Sequence, residues 1–384
     1  MQIRPTVLPV LRPVGGSEEI AALADVIESG WWGKGPLVER FERDFAHLVG
    51  AKYAVAVTSA TAGQDLILKA LGIKGVDVIS PTISFMTTAA VPLWNDCTST
   101  LVDVDPATLC LDPDDVRRAL TPATRVVVAV NYAGVPARYD EIRSHYDGFI
   151  LEDCAHSCYT PGAGQGGDAA VWSFQATKTM PCGDGGMITT DDPDLYEKLV
   201  PLTWLGISST YTRLIGDNPT GRPGYSWDYD INVLGYKCYM NDLTAAIALQ
   251  QMQKLDANLA IRRHVQQRYN EALGDILQTP VWSDTVQFYA ARVDPAIRDQ
   301  LIDYLADKNI HTSVHYKPLH NYPVVAQNRA FPVADREWKR LISLPCHAGM
   351  TDEDIDYVVY WVRKFFASTT THRSSDAATT RTGD

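Results

Sequence analysis

Two short stretches of this 384-residue chain hold the residues best placed to do chemistry. LEDCAHSCYT (151–160) puts Asp153 at the end of an apolar run, and WSFQATKTMPCGDGG (172–186) puts Lys178 just past the next one. In a parallel α/β sheet the carboxyl ends of the strands line the ligand crevice, so Asp153 and Lys178 are expected to face one pocket. A lysine so placed can form a Schiff base with an aldehyde cofactor. An aspartate can hold a pyridinium nitrogen protonated so that the ring accepts electrons. That is the arrangement suited to pyridoxal 5'-phosphate. Taken singly, such residues are ordinarily a solvated lysine and a helix cap.

A phosphate needs a strand followed by a helix whose free N–H groups and positive dipole end point at it. VAVTSATAGQDLILKAL (55–71) supplies both, and Ser59, Ala60 and Thr61 are small enough for close approach. Ser and Thr at a helix start also serve as plain N-caps, so both readings stand. Ser173, five residues before Lys178, can add a hydroxyl. Phe85 in SPTISFMTTAA lies just after another strand, where it can cover a planar ring or belong to the core.

These positions require an α/β framework. The runs 54–59, 76–80, 99–104, 125–132, 148–153, 169–174 and 186–190 read as strands, several apolar enough to be buried on both faces. Helix candidates at 61–71, 85–95, 112–120 and 138–145 separate them, the pattern of a mostly parallel sheet. From residue 241 a long, proline-free periodic stretch reads as one helix or two, with Asn241 as its cap. A strand in TVQFYAARV, a helix around 295–308 and a final amphipathic helix near 352–366 suit a smaller α+β unit. The expected division is a large domain over 1–250, a small C-terminal domain over 251–367, and a disordered polar tail over 368–384.

The composition is that of a globular protein, 46% hydrophobic and 21% charged. A formal charge of −12 argues against nucleic acid as partner. Seven cysteines without paired spacing indicate neither a disulfide framework nor a metal site, and a reducing cytoplasm fits. No apolar run approaches a membrane span, and the proline-broken N-terminus does not read as a signal peptide.

Nearly end to end, the chain resembles the DegT/DnrJ/EryC1/StrS family of pyridoxal-phosphate sugar aminotransferases, within the aspartate aminotransferase fold type I. The resemblance is carried by GWWGKGPLVERFERDFAHLVGAKYAVAVTSATAG, SPTISFMTTAAVPLWN, LVDVDPATLCLDP, EDCAHS, WSFQATK, GDGGMITTDD, GYKCYMNDLTAAIALQQMQKLD, HYKPLH and SLPCHAGMTDEDIDYV, in that order. It implies that Lys178 holds the cofactor and shuttles the proton, and that Asp153 pairs with the ring nitrogen. It further implies that Phe85 stacks on the ring, that Ala60, Thr61 and Ser173 bind the phosphate, and that His156 lies near the ring's 3-hydroxyl. GYKCYM resembles the segment with which a neighbouring subunit reaches the phosphate, which implies a homodimer with shared sites. There Lys237 stands where many members have Asn, and Tyr239 replaces Asn or Arg. Ala60 replaces a glycine usual in its turn.

The implied reaction moves an amino group from L-glutamate to a nucleotide-linked keto-deoxysugar, foremost a 4-keto-6-deoxyhexose. Candidates for the sugar nucleotide are Tyr316, Lys317, His320 and Arg213. Alternatives are a 3-keto sugar or cyclitol ketone as acceptor, a pyridoxal-phosphate sugar dehydratase, and a non-catalytic regulatory protein. A related dehydrating branch has His in place of the lysine, so Lys178 favours amino transfer.

Overall fold

In the computed structural model, residues 1–207 and 231–379 are described, with side chains to Ser368. Two helices, α1 (Ser17–Ser29) and α2 (Pro36–Val49), precede the first strand. Seven strands follow: β1 (Tyr53–Val57), β2 (Asp77–Pro81), β3 (Thr98–Val102), β4 (Thr124–Val130), β5 (Phe149–Asp153), β6 (Ala169–Ser173) and β7 (Gly186–Thr190). They form one sheet in the order β1-β7-β6-β5-β4-β2-β3. β7 runs antiparallel to β1 and β6, and the other pairings are parallel. All seven runs expected from the sequence are strands, because short β-branched and alanine-rich stretches can be apolar on both faces once helices cover both.

The helices between them are α3 (Ala60–Ala70), α4 (Thr87–Trp94), α5 (Pro113–Ala119) and α6 (Tyr139–Arg143), and α7 (Pro193–Leu202) follows the last strand. Side chains alternate across each strand, so neighbouring residues enter different cores. Val171 packs with Leu66, Ile67 and Leu199 from α3 and α7. Trp172, the next residue, packs on the opposite face with Phe41 and Phe45 from α2.

One helix, α8 (Asp242–Leu273), links this layer to the rest. Asn241 caps it by accepting from the Thr244 N–H at 2.9 Å. Its first half buries Ala248, Leu249, Leu255 and Leu259 against the α2 side of the large sheet. Its second half buries Val265, Tyr269 and Leu273 in a separate core around β8 (Tyr289–Arg292) and β9 (Leu341–Leu344). The changeover falls between Leu259 and Val265, later along the helix than the 250/251 division expected from the sequence. Helices α9 (Arg298–Ala306), α10 (Pro332–Glu337) and α11 (Asp352–Thr379) complete this part.

Leu8 also belongs to this second core, tied by backbone hydrogen bonds to Asn309 and His311. Sequence position alone groups it with the large domain. The backbone of α11 continues to Thr379, past Ser368, where the sequence suggests a disordered tail. No helix among the described residues is long and apolar enough to cross a membrane.

Candidate active site

Parallel strands bring their carboxyl ends to one side of the sheet, and the residues singled out above lie on the turns that leave that side. Ser59 leaves β1, Phe85 follows β2, Asn131 leaves β4, Asp153 ends β5 and Ser173 ends β6.

Glu152 and Asp153 are adjacent carboxylates at the end of one strand, and alternation sends them to different surroundings. Glu152 is fully buried and accepts from Asn131 Nδ2 at 2.7 Å, from the Gly164 and Gly166 N–H groups at 2.9 Å each, and from the Cys154 thiol. It therefore pins the loop that follows β5. Asp153 is buried too, but among the described residues its carboxylate accepts only from Gln64 Nε2 (2.8 Å) and the Ala155 N–H (3.0 Å). Burial raises the Asp153 pKa, opposed by the Ala155 N–H, the charge of Lys178 and Gln64. A carboxylate so placed is stabilised as an anion by a further cationic donor.

Lys178 is partly buried in the same cleft, in a turn in which its N–H donates to the Gln175 carbonyl at 2.8 Å. Loss of water pushes its pKa down to about 8, and Asp153 works in the opposite direction. A lysine with a depressed pKa offers a larger fraction of neutral amine near neutral pH, the form that attacks a carbonyl or accepts a proton.

His156 is held well below the usual histidine range, first by burial and then by the charges of Lys178 and His315. Its Nε2 lies 3.1 Å from the Tyr316 hydroxyl. In the tautomer in which Tyr316 donates, Nδ1 carries the ring proton and is a buried donor without a partner. A buried N–H unpartnered among the described residues and a buried carboxylate, both close enough to feel the charge of Lys178, fit a heteroaromatic ring with a polar oxygen and a protonated nitrogen.

Phe85 is 64% exposed, which removes the alternative that it belongs to the core, and its ring centroid lies 6.5 Å from that of Tyr316. Ser59 is the N-cap of α3, its oxygen accepting from the Ala62 N–H at 3.1 Å, a bond that leaves the hydroxyl proton to be donated. Ala60 opens that helix, and the Thr61 hydroxyl is hydrogen-bonded to Thr87 Oγ1 at 2.8 Å. A Cβ on Gly186 would fall 2.4 Å from the Ser59 carbonyl carbon, so only glycine lets this turn lie against β7. Ser173 is partly exposed at the end of β6.

The 237–240 segment is tied to its own chain near the same turn: the Thr58 N–H donates to the Cys238 carbonyl at 2.8 Å, and Tyr239 bridges to Val57. Lys237 is exposed. Of the candidates for the sugar nucleotide, Tyr316 joins the site through His156. Lys317 is exposed, its ammonium 4.6 Å from the Tyr322 ring centroid. His320 is engaged elsewhere, with Nδ1 2.6 Å from Thr82 Oγ1 and Nε2 3.1 Å from Asp335. Arg213 lies outside the described residues. Among the described residues there is no group of three or more His, Cys, Asp or Glu arranged to hold a metal.

Sequence reasoning passes over Gln64 and Glu152. Each carries a legible signal: a polar residue within the buried stripe of α3, and a second charge beside Asp153 at the end of an apolar run. Gln287 and Thr285, which also reach this site, carry none.

The family description "DegT/DnrJ/EryC1/StrS aminotransferase family" matches residues 13–363. The chain is 38% identical over 387 residues to the spore coat polysaccharide biosynthesis protein SpsC of Bacillus subtilis (strain 168), covering 94% of this chain and 98% of that protein. Among solved structures it is similar to the aminotransferase TlmJ from Streptoalloteichus hindustanus, with a TM-score of 0.87 and 31% identity, over 94% of this chain and 100% of the other. It is also similar to the sugar aminotransferase Spr1654 from Streptococcus pneumoniae in its PMP form, with a TM-score of 0.85 and 26% identity, over 92% and 97% of the two chains.

Proposed function

The chain belongs to the DegT/DnrJ/EryC1/StrS aminotransferase family, and from that membership we propose the substrate, the donor and the residues through which this pyridoxal-phosphate-dependent aminotransferase works. The reaction is transfer of an amino group from L-glutamate to a nucleotide-linked 4-keto-6-deoxyhexose. The observation that carries the site assignment is the juxtaposition of a buried, under-paired Asp153 with Lys178, whose pKa is pushed down to about 8.

Bound pyridoxal phosphate supplies a carbonyl carbon that can carry nitrogen and a ring that can take up an electron pair. Asp153 orients that ring and holds the proton on its nitrogen. Gln64 and the Ala155 N–H keep the Asp153 carboxylate from turning away. Lys178 attaches the cofactor and, once released by an incoming amine, moves a proton between substrate and cofactor with its Nζ. His156 offers its free ring nitrogen to the cofactor's phenolic oxygen, steadied by Tyr316. Phe85 covers the exposed face of the ring, and Ala60, Thr61 and Ser173 receive the phosphate at the start of α3. Lys237 adjoins Cys238, whose carbonyl accepts from the Thr58 N–H beside the turn that receives the phosphate, and in a homodimer with shared sites it serves the partner's cofactor. Tyr316 and Lys317, with Arg213, meet the sugar nucleotide. The site works in the reducing cytoplasm, which suits seven free thiols.

The test is spectroscopic. The purified protein should show the yellow band of a lysine-bound cofactor, and L-glutamate should bleach it with release of 2-oxoglutarate. A nucleotide-linked 4-keto-6-deoxyhexose should then restore the band. Restoration only by a 3-keto sugar or a cyclitol ketone replaces the acceptor. A band indifferent to glutamate replaces the donor or the reaction class. Sedimentation as a fully active monomer excludes the shared-site dimer.

A further inference from the structure

The short strip Thr285–Phe288 precedes β8 and lies outside the seven-stranded sheet, yet it touches the loops that follow β4, β5 and β6. The hydroxyls of Thr160 and Thr285 pair with one another and reach the carbonyls of Gly134 and Cys158, at 3.2 Å each. The Gln287 N–H donates to the Ala133 carbonyl. The Phe288 ring stacks on His315 at 4.3 Å and meets His156 edge-on at 5.2 Å. Gln287 Nε2 donates to the carbonyl of Thr177, the residue immediately before Lys178, at 3.0 Å.

From behind, the buried Arg262 of α8 grips the same strip. Its Nη1 donates to the carbonyls of Val286 and Gln287 and to that of Cys346, at 3.1–3.2 Å. Val286, a β-branched residue, is held at φ 37°, a conformation that persists only where its surroundings impose it.

Gln287 is 1% exposed, and its Oε1 has no hydrogen-bond partner among the described residues. A buried amide whose oxygen is unpaired costs stability relative to an apolar side chain of the same shape. The bond that it does make goes to the residue before Lys178, so its effect is better sought there than in what it adds to the fold.

We propose that Gln287 is a positioning residue for Lys178: by fixing the Thr177 carbonyl it sets the peptide that carries the lysine, and so aims Nζ at the atoms between which it moves a proton. The proposal rests on the function proposed above. It makes the second core, through one side chain, a determinant of the geometry at the strand ends of the first.

The experiment compares the wild-type holoenzyme with Gln287→Met, which keeps the shape and removes the donor. The readouts are single-turnover bleaching of the yellow band by glutamate, the isotope effect with α-deuterated glutamate, and thermal melting. Gln287→Met should melt close to wild type and bleach about tenfold more slowly at an unchanged half-saturating glutamate concentration. The isotope effect should grow, because only the proton-moving step is slowed. Unchanged bleaching and isotope effect overturn the proposal, as does slower bleaching accompanied by a proportionate loss of melting temperature.

If Gln287→Met does not fold, Gln287→Glu decides. The carboxyl introduced by that substitution still donates to the Thr177 carbonyl when protonated, and repels it when ionised. The variant-to-wild-type ratio of bleaching rates should therefore fall as pH rises. Asp153, His156 and His315, which also face Lys178, are common to both proteins, so the ratio cancels their titration. A flat ratio overturns the proposal. A wild-type protein with no yellow band overturns the proposed function and this inference with it, whereas wild-type turnover matched by the variants overturns the inference alone.

Discussion

The loop after β5 and the strip before β8 both border Lys178, but they are built in opposite ways. Glu152 and Asp153 take side-chain partners no more than 89 residues away: Asn131 at the end of β4, Gly164 and Gly166 in the loop after β5, and Gln64 of α3. Residues 285–288 take theirs from Ala133, Cys158, Thr160 and Thr177, more than a hundred residues away, and are gripped from behind by Arg262. The first region places reactive groups; the second aligns the loops on which such groups stand. Substitutions in the first should remove chemical steps, and substitutions in the second should slow them.

The largest effect should come from Lys178→Ala. Amino transfer should fall by at least about 10³-fold and the yellow band should be lost, while thermal melting stays close to wild type. A protein that retains the band would move the cofactor to another lysine and dissolve the contrast between the two regions.

Asp153→Asn keeps the shape of the side chain and removes the negative charge. Steady-state kinetics should show kcat/KM lower by about 10²-fold with the cofactor still bound, the cost of removing one oriented electrostatic partner from a dry site. A loss no greater than that of Gln287→Met would sharpen the comparison against the first region.

Gln64→Leu leaves the buried Asp153 Oδ2 without its side-chain donor. Denaturant unfolding of the cofactor-free protein should show a loss of about 1–3 kcal/mol. Cofactor should reduce that loss by giving Asp153 another partner. Equal losses with and without cofactor would place the ring nitrogen elsewhere.

The smallest signal concerns pH. The Lys178 pKa lies at about 8 in the folded chain against 10.5 ordinarily, so between those values the unfolded chain binds more protons. Stability then rises with pH across that window, the reverse of the usual effect of a paired lysine. The melting temperature of cofactor-free wild type, minus that of cofactor-free Lys178→Met, should increase from pH 8 to 10. A flat or falling difference would mean that Lys178 is solvated like an ordinary surface lysine.

Much of the architecture is legible in the sequence because its causes are local. Seven apolar runs can be recognised as strands from their length and β-branched content, and Asn241 as a cap from its place before a periodic stretch. Asp153 and Lys178 are legible because the carboxyl ends of parallel strands share one edge, so two strand-end residues meet whatever the details between them. Phe85 cannot be assigned to surface or core from the sequence, since that depends on what covers the end of β2; the structure leaves it exposed. His320 groups with the substrate on its spacing from Tyr316, but Thr82 and Asp335, neither of them adjacent in sequence, occupy both of its nitrogens.

By itself, then, the sequence determined the strand-and-helix order, the sheet edge at which chemistry is possible, and the residue types gathered there. These follow from periodicity, caps and alternation, which act over a few residues. Only the tertiary structure decided that Leu8 joins the second core, that Gln64 reaches Asp153, and that Gln287 reaches the Lys178 loop. Each of those depends on packing between segments far apart in the chain, where a contact leaves no pattern in either segment alone.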